Sequence, residues 1–349
     1  MATAGNRYRL KFLVVLPIIV LILFLLDISL GSVHIPPGDI INILTGGEGE
    51  KPTWSAIILQ FRLPKALTAI LAGAALSISG LQMQTLFRNP LAGPFVLGIS
   101  SGASLGVAIV VLAGAAIGGV FLQSGLNHWI LILAATAGSS AVLFLVVLVS
   151  LRIQDSMGLL IIGLMFGSAT GAIVSMLQFF SSAEQIQVYL IWTFGSLGGL
   201  DWSELYMLLP VVIIGIAIAV SLIKPLNAFL LGEHYAQSLG LNIRKSRNWI
   251  IISTSLLAGS VTAFCGPIAF IGLAVPHLGR MLFSTSDHKV LLPATVFIGM
   301  IIMLGCDIVS QLPGSQQVLP INAVTSLLGA PVVIWVILRR RSVKGAFGG

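Results

Sequence analysis

His277, Arg280 and Asp287 come nearest in this chain to a catalytic set. A histidine base, a guanidinium that holds an anion and a carboxylate, gathered at one membrane edge, would suit attack on a lipid. The set is thin. His277 follows Pro276 in an apolar stretch, where a lone histidine is more often hydrogen-bonded structure than a ligand or base. Asp27 and Asp307 are the other acidic candidates, because an intramembrane carboxylate can serve a proton relay. Both stand toward the outer ends of apolar runs, where a solvated or capped side chain is expected. Cys265 and Cys306 lie in or beside apolar runs without C-x-x-C spacing. They read as small core residues, with no metal. The chain has no G-x-x-x-x-G-K-[ST] phosphate loop, no H-E-x-x-H pair, no G-x-S-x-G elbow and no potassium-filter sequence.

The elements that must position these residues are membrane helices. The chain has 349 residues, of which 57% are hydrophobic and 8% charged; a soluble domain carries roughly 25% charged residues. Apolar runs recur at about 20 residues, the length of a helix that crosses the hydrocarbon layer. Lipid offers no partner to backbone polar groups, so such runs become helices. The expected fold is all-α and polytopic, one membrane domain over residues 1–349. Ten spans can be drawn, at 12–30, 63–82, 94–115, 129–150, 158–180, 204–223, 249–265, 269–283, 290–310 and 322–338. The eighth is short and interrupted by Pro276. Arg7, Arg9 and Lys11 before an apolar run from Phe12 to Leu26 resemble a signal peptide. The apolar character continues to Leu30 and GSVHIPPGD has no A-x-A site, so a retained first span is expected.

Charge sets the orientation. Ten spans put both termini on one side, together with Arg7, Arg9, Lys11, Arg88, Arg152, Lys224, Arg244, Lys245, Arg247, Arg280, Lys289, Arg339, Arg340, Arg341 and Lys344. Only Lys51, Arg62 and Lys65 fall on the other side. The basic side is cytoplasmic by the positive-inside rule. The net charge of +7 is then an inner-face bias and not a nucleic-acid footprint. On that face the longest connection between spans is 224–247, KPLNAFLLGEHYAQSLGLNIRKSR. A short helix is expected from Glu233 to Leu239, closed by Gly240. A membrane protein without a nucleotide site, and nearly without charge inside its spans, either conducts passively or borrows energy. This loop favours a partner that pushes on it.

Glycine is abundant, with 38 residues. Gly163, Gly167 and Gly171 share one helix face, which either lets backbones approach closely or leaves room for a bulky solute. The segment LQMQTLFRNPLAGP, Leu81 to Pro94, breaks helix at Asn89-Pro90 and again at Gly93-Pro94. It is either a tight connection or a constriction at the inner end of a pathway. Arg62 and Lys65 flank Pro64 on the outer side. They either snorkel to the interface or dock an acidic patch of an extracytoplasmic protein.

The stretches RLPKALTAILAGAALSISGLQMQTLFRNPLAGPFVLGISSGASLG, LGEHYAQSLGLNIRKSRN, GPIAFIGLAVPHLGR and LPINAVTSLLGAPVVIWVIL, in that order over nearly the whole chain, resemble the FecCD family of permeases. These are membrane subunits of ATP-binding-cassette (ABC) importers for iron–siderophore complexes, haem and cobalamin. The resemblance implies a homodimer of ten-helix subunits in the bacterial inner membrane, with the pathway on the dimer axis and no cofactor. Two cytoplasmic ATPase subunits would dock below and an extracytoplasmic substrate-binding protein above. It assigns ATPase coupling to Leu230, Leu231, Gly232, Glu233, His234, Ala236, Leu239, Gly240 and Leu241. It assigns the inner gate to Asn89, Pro90, Leu91, Asp155 and Ser156, and binding-protein docking to Arg62 and Lys65. Gln311 stands where some members carry a basic residue, and Lys65 replaces an arginine able to pair bidentately, so docking is expected to be weaker or differently arranged. Siderophore leads as cargo on base rate, with haem and cobalamin open. Two rivals stand beside this reading. An ion-coupled secondary transporter would work without ATP and stop with the ion gradient. A lipid-modifying enzyme would rest on His277, Arg280 and Asp287.

Overall fold

The computed structural model describes residues 2–31, 33–47, 49–113, 128–152, 156–311 and 317–339. Every regular element among them is helical. In chain order they are α1 (Ala2–Ser29), α2 (Pro37–Leu44), α3 (Pro52–Leu86), α4 (Ile99–Leu112), α5 (His128–Ser150), α6 (Ser156–Phe179) and α7 (Ala183–Thr193). There follow α8 (Trp202–Ser221), α9 (Ile223–Phe229), α10 (Glu233–Ser238), α11 (Ile243–Cys265), α12 (Ile271–Phe283), α13 (His288–Ser310) and α14 (Ile321–Arg339). Six of these, α3, α5, α6, α8, α11 and α13, are long and apolar enough to cross a membrane. Shorter apolar helices, Leu13–Ser29, Ile99–Leu112, Ile271–Phe283 and Ile321–Trp335, lie where the remaining spans are expected.

The sequence and the structure differ most at the second span. It begins at Pro52, not near residue 63, and the outer loop expected to be turn-rich also holds α2. A π-helical stretch, Ile57–Arg62, precedes Pro64. It widens the ladder where proline has no N–H to give. The third span starts later than expected, at Ile99, because Gly93-Pro94 diverts the chain into a 3₁₀ turn, Pro94–Leu97.

Helix α3 is the axis of the bundle, and α11, α12 and α13 all pack on it. Its small side chains make this possible: Ala66, Ala69, Ala72 and Ala75 are fully buried. A Cβ built on Gly80 would stand 2.6 Å from the Gly272 Cα, and one on Gly73 would stand 2.7 Å from the Gly299 carbonyl carbon. Lipid gives helices no hydrophobic drive to associate, so contact this close supplies the attraction. The Gly163–Gly171 face divides. Gly163 lies against the backbone of Val96 and Leu97, whereas Gly171 faces nothing within 4 Å among the described residues. Cys265 and Cys306 are buried free thiols, as expected of core residues.

Candidate functional site

The 224–247 loop, expected on the inner face, is a pair of short helices with fixed ends. Only Leu222 separates α8 from α9, and Leu226 and Phe229 of α9 are fully buried. Gly232 then turns the chain at φ 104° and α10 begins at Glu233. The far end closes as a Schellman motif: Gly240 N–H donates to the Gln237 carbonyl at 2.9 Å and Leu241 N–H to the Ala236 carbonyl at 3.2 Å. Gly240 sits at φ 82°, the left-handed region that glycine enters freely. Asn242 caps α11 by accepting from Lys245 N–H at 3.0 Å. The helix anticipated from the sequence is therefore present, and Gly240 ends it.

Glu233 ties α10 to two membrane helices. Arg247 Nη2, on α11, donates to both Glu233 carboxylate oxygens at 3.0 Å. Ser156 Oγ, at the start of α6, donates to Glu233 Oε1. The Arg247 side chain is 3% exposed and the Glu233 side chain 27%, so the pair is largely shielded from water. Ala236 is the buried residue of α10. Leu231, Tyr235 and Leu239 turn outward, each more than half exposed. His234 is exposed and Leu230 and Leu241 are half-buried. Sequence reasoning named Glu233 and Ser156 for separate roles; the structure joins them through one hydrogen bond. It also adds Arg247, whose only sequence signal was a place in the loop's basic run.

The Asn89–Leu91 turn is held from two sides. Arg88 leaves α3 at φ 46°, and Asn89 Oδ1 accepts from Leu91 N–H at 2.9 Å. His277 Nε2 donates to the Pro90 carbonyl at 2.7 Å, so the histidine is a structural donor as expected. Arg280 Nη1 reaches Gln84 Oε1 at 2.6 Å, and Gln84 Nε2 reaches the Leu273 carbonyl at 3.1 Å. His277 thus braces the turn from α12, Arg280 braces the last turns of α3 through Gln84, and Asp287 instead caps α13. Leu91 is 49% exposed. Helix α6, which begins at Ser156, packs on the 3₁₀ turn that follows. Asp155 lies outside the described residues.

At the end expected to be the outer one, the two basic residues turn inward. Lys65 Nζ lies 3.1 Å from Asp307 Oδ1, with the Asp307 side chain 2% exposed. Gln311 Nε2 bridges Asp27 Oδ1 at 2.8 Å and Asp307 Oδ2 at 3.2 Å. Of the two alternatives expected for Asp27 and Asp307, a solvated or a capped side chain, the structure excludes the solvated one. Both are buried, because Lys65 and Gln311 supply the charge and donors that water would otherwise give. Arg62 caps the end of α1, its Nη1 donating to the Ile28 and Ser29 carbonyls at 2.8 and 3.1 Å and its Nη2 to the Val33 carbonyl at 2.5 Å. Among the described residues no group of three or more His, Cys, Asp or Glu side chains could hold a metal ion.

Residues 19–339 match the FecCD transport family. The chain is 35% identical over 341 residues to the vitamin B12 import system permease protein BtuC of Klebsiella pneumoniae, covering 98% of this chain and 97% of that one. It is 36% identical over 338 residues to the protein of the same name from Salmonella typhi, covering 97% and 98%. Its fold is similar to that of a metal-chelate type ABC transporter solved in an inward-facing conformation. There the TM-score is 0.81 at 29% identity, covering 94% of this chain and 99% of the other. The chain belongs to the FecCD transport family, and is a transport component and not an enzyme.

Proposed function

We infer that this chain is the membrane permease of an ABC importer for a metal-chelate nutrient. It would lie in the inner membrane as a homodimer of ten-span subunits, with both termini cytoplasmic. Two ATPase subunits would bear on the α9–α10 loop, and an extracytoplasmic binding protein would deliver cargo from above. One observation carries the reading. Glu233 connects an outward-facing apolar loop to α11 through Arg247 and to α6 through Ser156. A push on Leu231, Tyr235 and Leu239 therefore has a direct route into two membrane helices and into the proposed gate at Ser156. Because the bundle is close-packed, such a push moves helices as rigid bodies and alternates access.

Cargo is a metal chelate on this reading. The names of the relatives favour cobalamin and support it beside iron–siderophore, with haem a further member of the class. Arg62 and Lys65 remain the proposed contact for the binding protein, reached when an acidic partner competes for their internal partners. The reading is tested in proteoliposomes holding the chain, its ATPase and its binding protein, with cobalamin, a ferric siderophore and haem offered in turn. Uptake of one chelate that requires ATP and stops with vanadate is expected. Uptake that survives ATP depletion and collapses with the ion gradient would overturn it in favour of a secondary transporter.

A further inference from the structure

A second line of side chains leaves the inner loop for the gate. Helix α9 packs on both α3 and α13. Its Asn227 is fixed in one orientation: Nδ2 donates to Asp287 Oδ1 at 2.7 Å, and Oδ1 accepts the His288 backbone N–H at 2.8 Å. The same Oδ1 lies 2.7 Å from His288 Nδ1. A carboxamide oxygen only accepts, so Nδ1 carries the proton. The neutral ring then presents Nε2 as an acceptor, and Thr85 Oγ1 stands 2.9 Å from it. Thr85 lies in the last turn of α3, ahead of the turn that holds Asn89 and Pro90. Its hydroxyl has an alternative acceptor in the Leu81 carbonyl at 2.9 Å. His288 and Thr85 are 1% and 2% exposed, so water cannot replace either partner. A buried hydrogen bond of this kind is costly to leave unmade, and it holds the elements it joins in register.

We propose that Asn227, His288 and Thr85 transmit movement of the inner loop to the Asn89–Leu91 side of the gate. They act in parallel with the Glu233–Ser156 contact, which serves the other side. The proposal rests on the reading of the chain as an ATPase-driven permease. All three are positioning residues and none touches cargo. The consequence is that the two gate segments respond through separate contacts, so one response can be cut while the other remains.

The test uses the complex with its ATPase subunits. Single reporter cysteines are placed at Leu91 (49% exposed) and, separately, at Met157 (52% exposed), and labelled by maleimide with and without ATP plus vanadate. The native Cys265 and Cys306 are buried and give low background. Thr85→Val removes the hydroxyl at nearly constant shape, and Thr85→Ser keeps it. In Thr85→Val the ATP-dependent change in labelling at Leu91→Cys is expected to shrink about fivefold, the population factor of one net hydrogen bond. The change at Met157→Cys persists, and Thr85→Ser behaves as the parent. An undiminished response at Leu91→Cys in Thr85→Val overturns the proposal. So does an equal loss at both reporters, which marks general loosening. A parent complex without any ATP-dependent change at either reporter sinks the ATPase-coupling reading itself, and the proposal with it.

Discussion

The two ends of the bundle use charge in opposite ways. At the outer end Arg62 and Lys65 are satisfied within the chain, by carbonyls of the α1 terminus and by Asp307. Lys65, Asp27, Asp307 and Gln311 join α1, α3 and α13 into one block. At the inner end the charged pair Glu233–Arg247 also sits inside, but it anchors a loop whose apolar side chains face out. The outer cluster connects helices to one another. The inner pair connects helices to a loop on which the proposed ATPase would bear. The same residue types therefore serve cohesion at one end and, on the proposed function, transmission at the other, and burial of the neighbouring apolar groups tells them apart.

The largest expected effect separates cohesion from docking at Lys65. Lys65→Met leaves the buried Asp307 carboxylate without its cation, and breaking a buried pair in this way costs about 3–5 kcal/mol. Thermal unfolding in detergent should fall markedly. An unchanged midpoint combined with weaker capture of the binding protein would reverse the assignment and make Lys65 a docking residue first. The next effect concerns the seam that joins the two ends. Gly80→Ala places a methyl group 2.6 Å from the Gly272 Cα, which no side-chain rotation relieves. Overpacking of this kind costs about 1–3 kcal/mol, again read from unfolding in detergent.

The inner end should behave in the opposite sense. Leu239 is 60% exposed. Leu239→Ser is expected to leave unfolding within about 0.5 kcal/mol of the parent. Affinity for the ATPase subunits should fall about tenfold, the scale of an interface contact that matters. Stability loss without affinity loss would show that the exposed patch is part of the fold and not a docking face.

The smallest effect is a pH dependence at Asp287, the cap of α13. The Lys289 backbone N–H, helped by the Asn227 amide, holds this carboxyl below its ordinary value of 3.8. A depressed folded value means the cap contributes fully above the unfolded value and fades as pH falls through the folded one. Acid below about pH 4 should therefore loosen the start of α13, and Asp287→Asn should remove that part of the acid sensitivity. Hydrogen exchange of the first turn of α13 measures it.

Much of this was legible in the sequence, for reasons of scale. Long apolar runs fix helices because lipid leaves the backbone no alternative. The inner loop helix and its Gly240 closure follow from local signals. The outer cluster was not legible. Asp27, Lys65 and Asp307 lie far apart in the chain, and nothing local to each aspartate announces a lysine partner. Read singly, each looked like a solvated or capped helix end. The internal partners of Arg62 were not legible either, since carbonyl partners carry no side-chain signature. The π stretch before Pro64 escaped because hydropathy does not report helical pitch. The Ser156–Glu233 and Thr85–His288 contacts likewise join segments distant in sequence, and only the folded bundle brings them together.

The central claim is that Glu233 passes motion from an ATPase into the membrane helices. Its direct test is the number of chelate molecules imported per ATP hydrolysed, in proteoliposomes with the parent chain and with Glu233→Gln. The variant keeps the shape of the side chain and removes the charge that Arg247 holds. Hydrogen bonds to charged groups are worth about 1.5–3 kcal/mol, so the ratio is expected to fall by about tenfold or more while hydrolysis continues. A ratio equal to that of the parent would contradict the account.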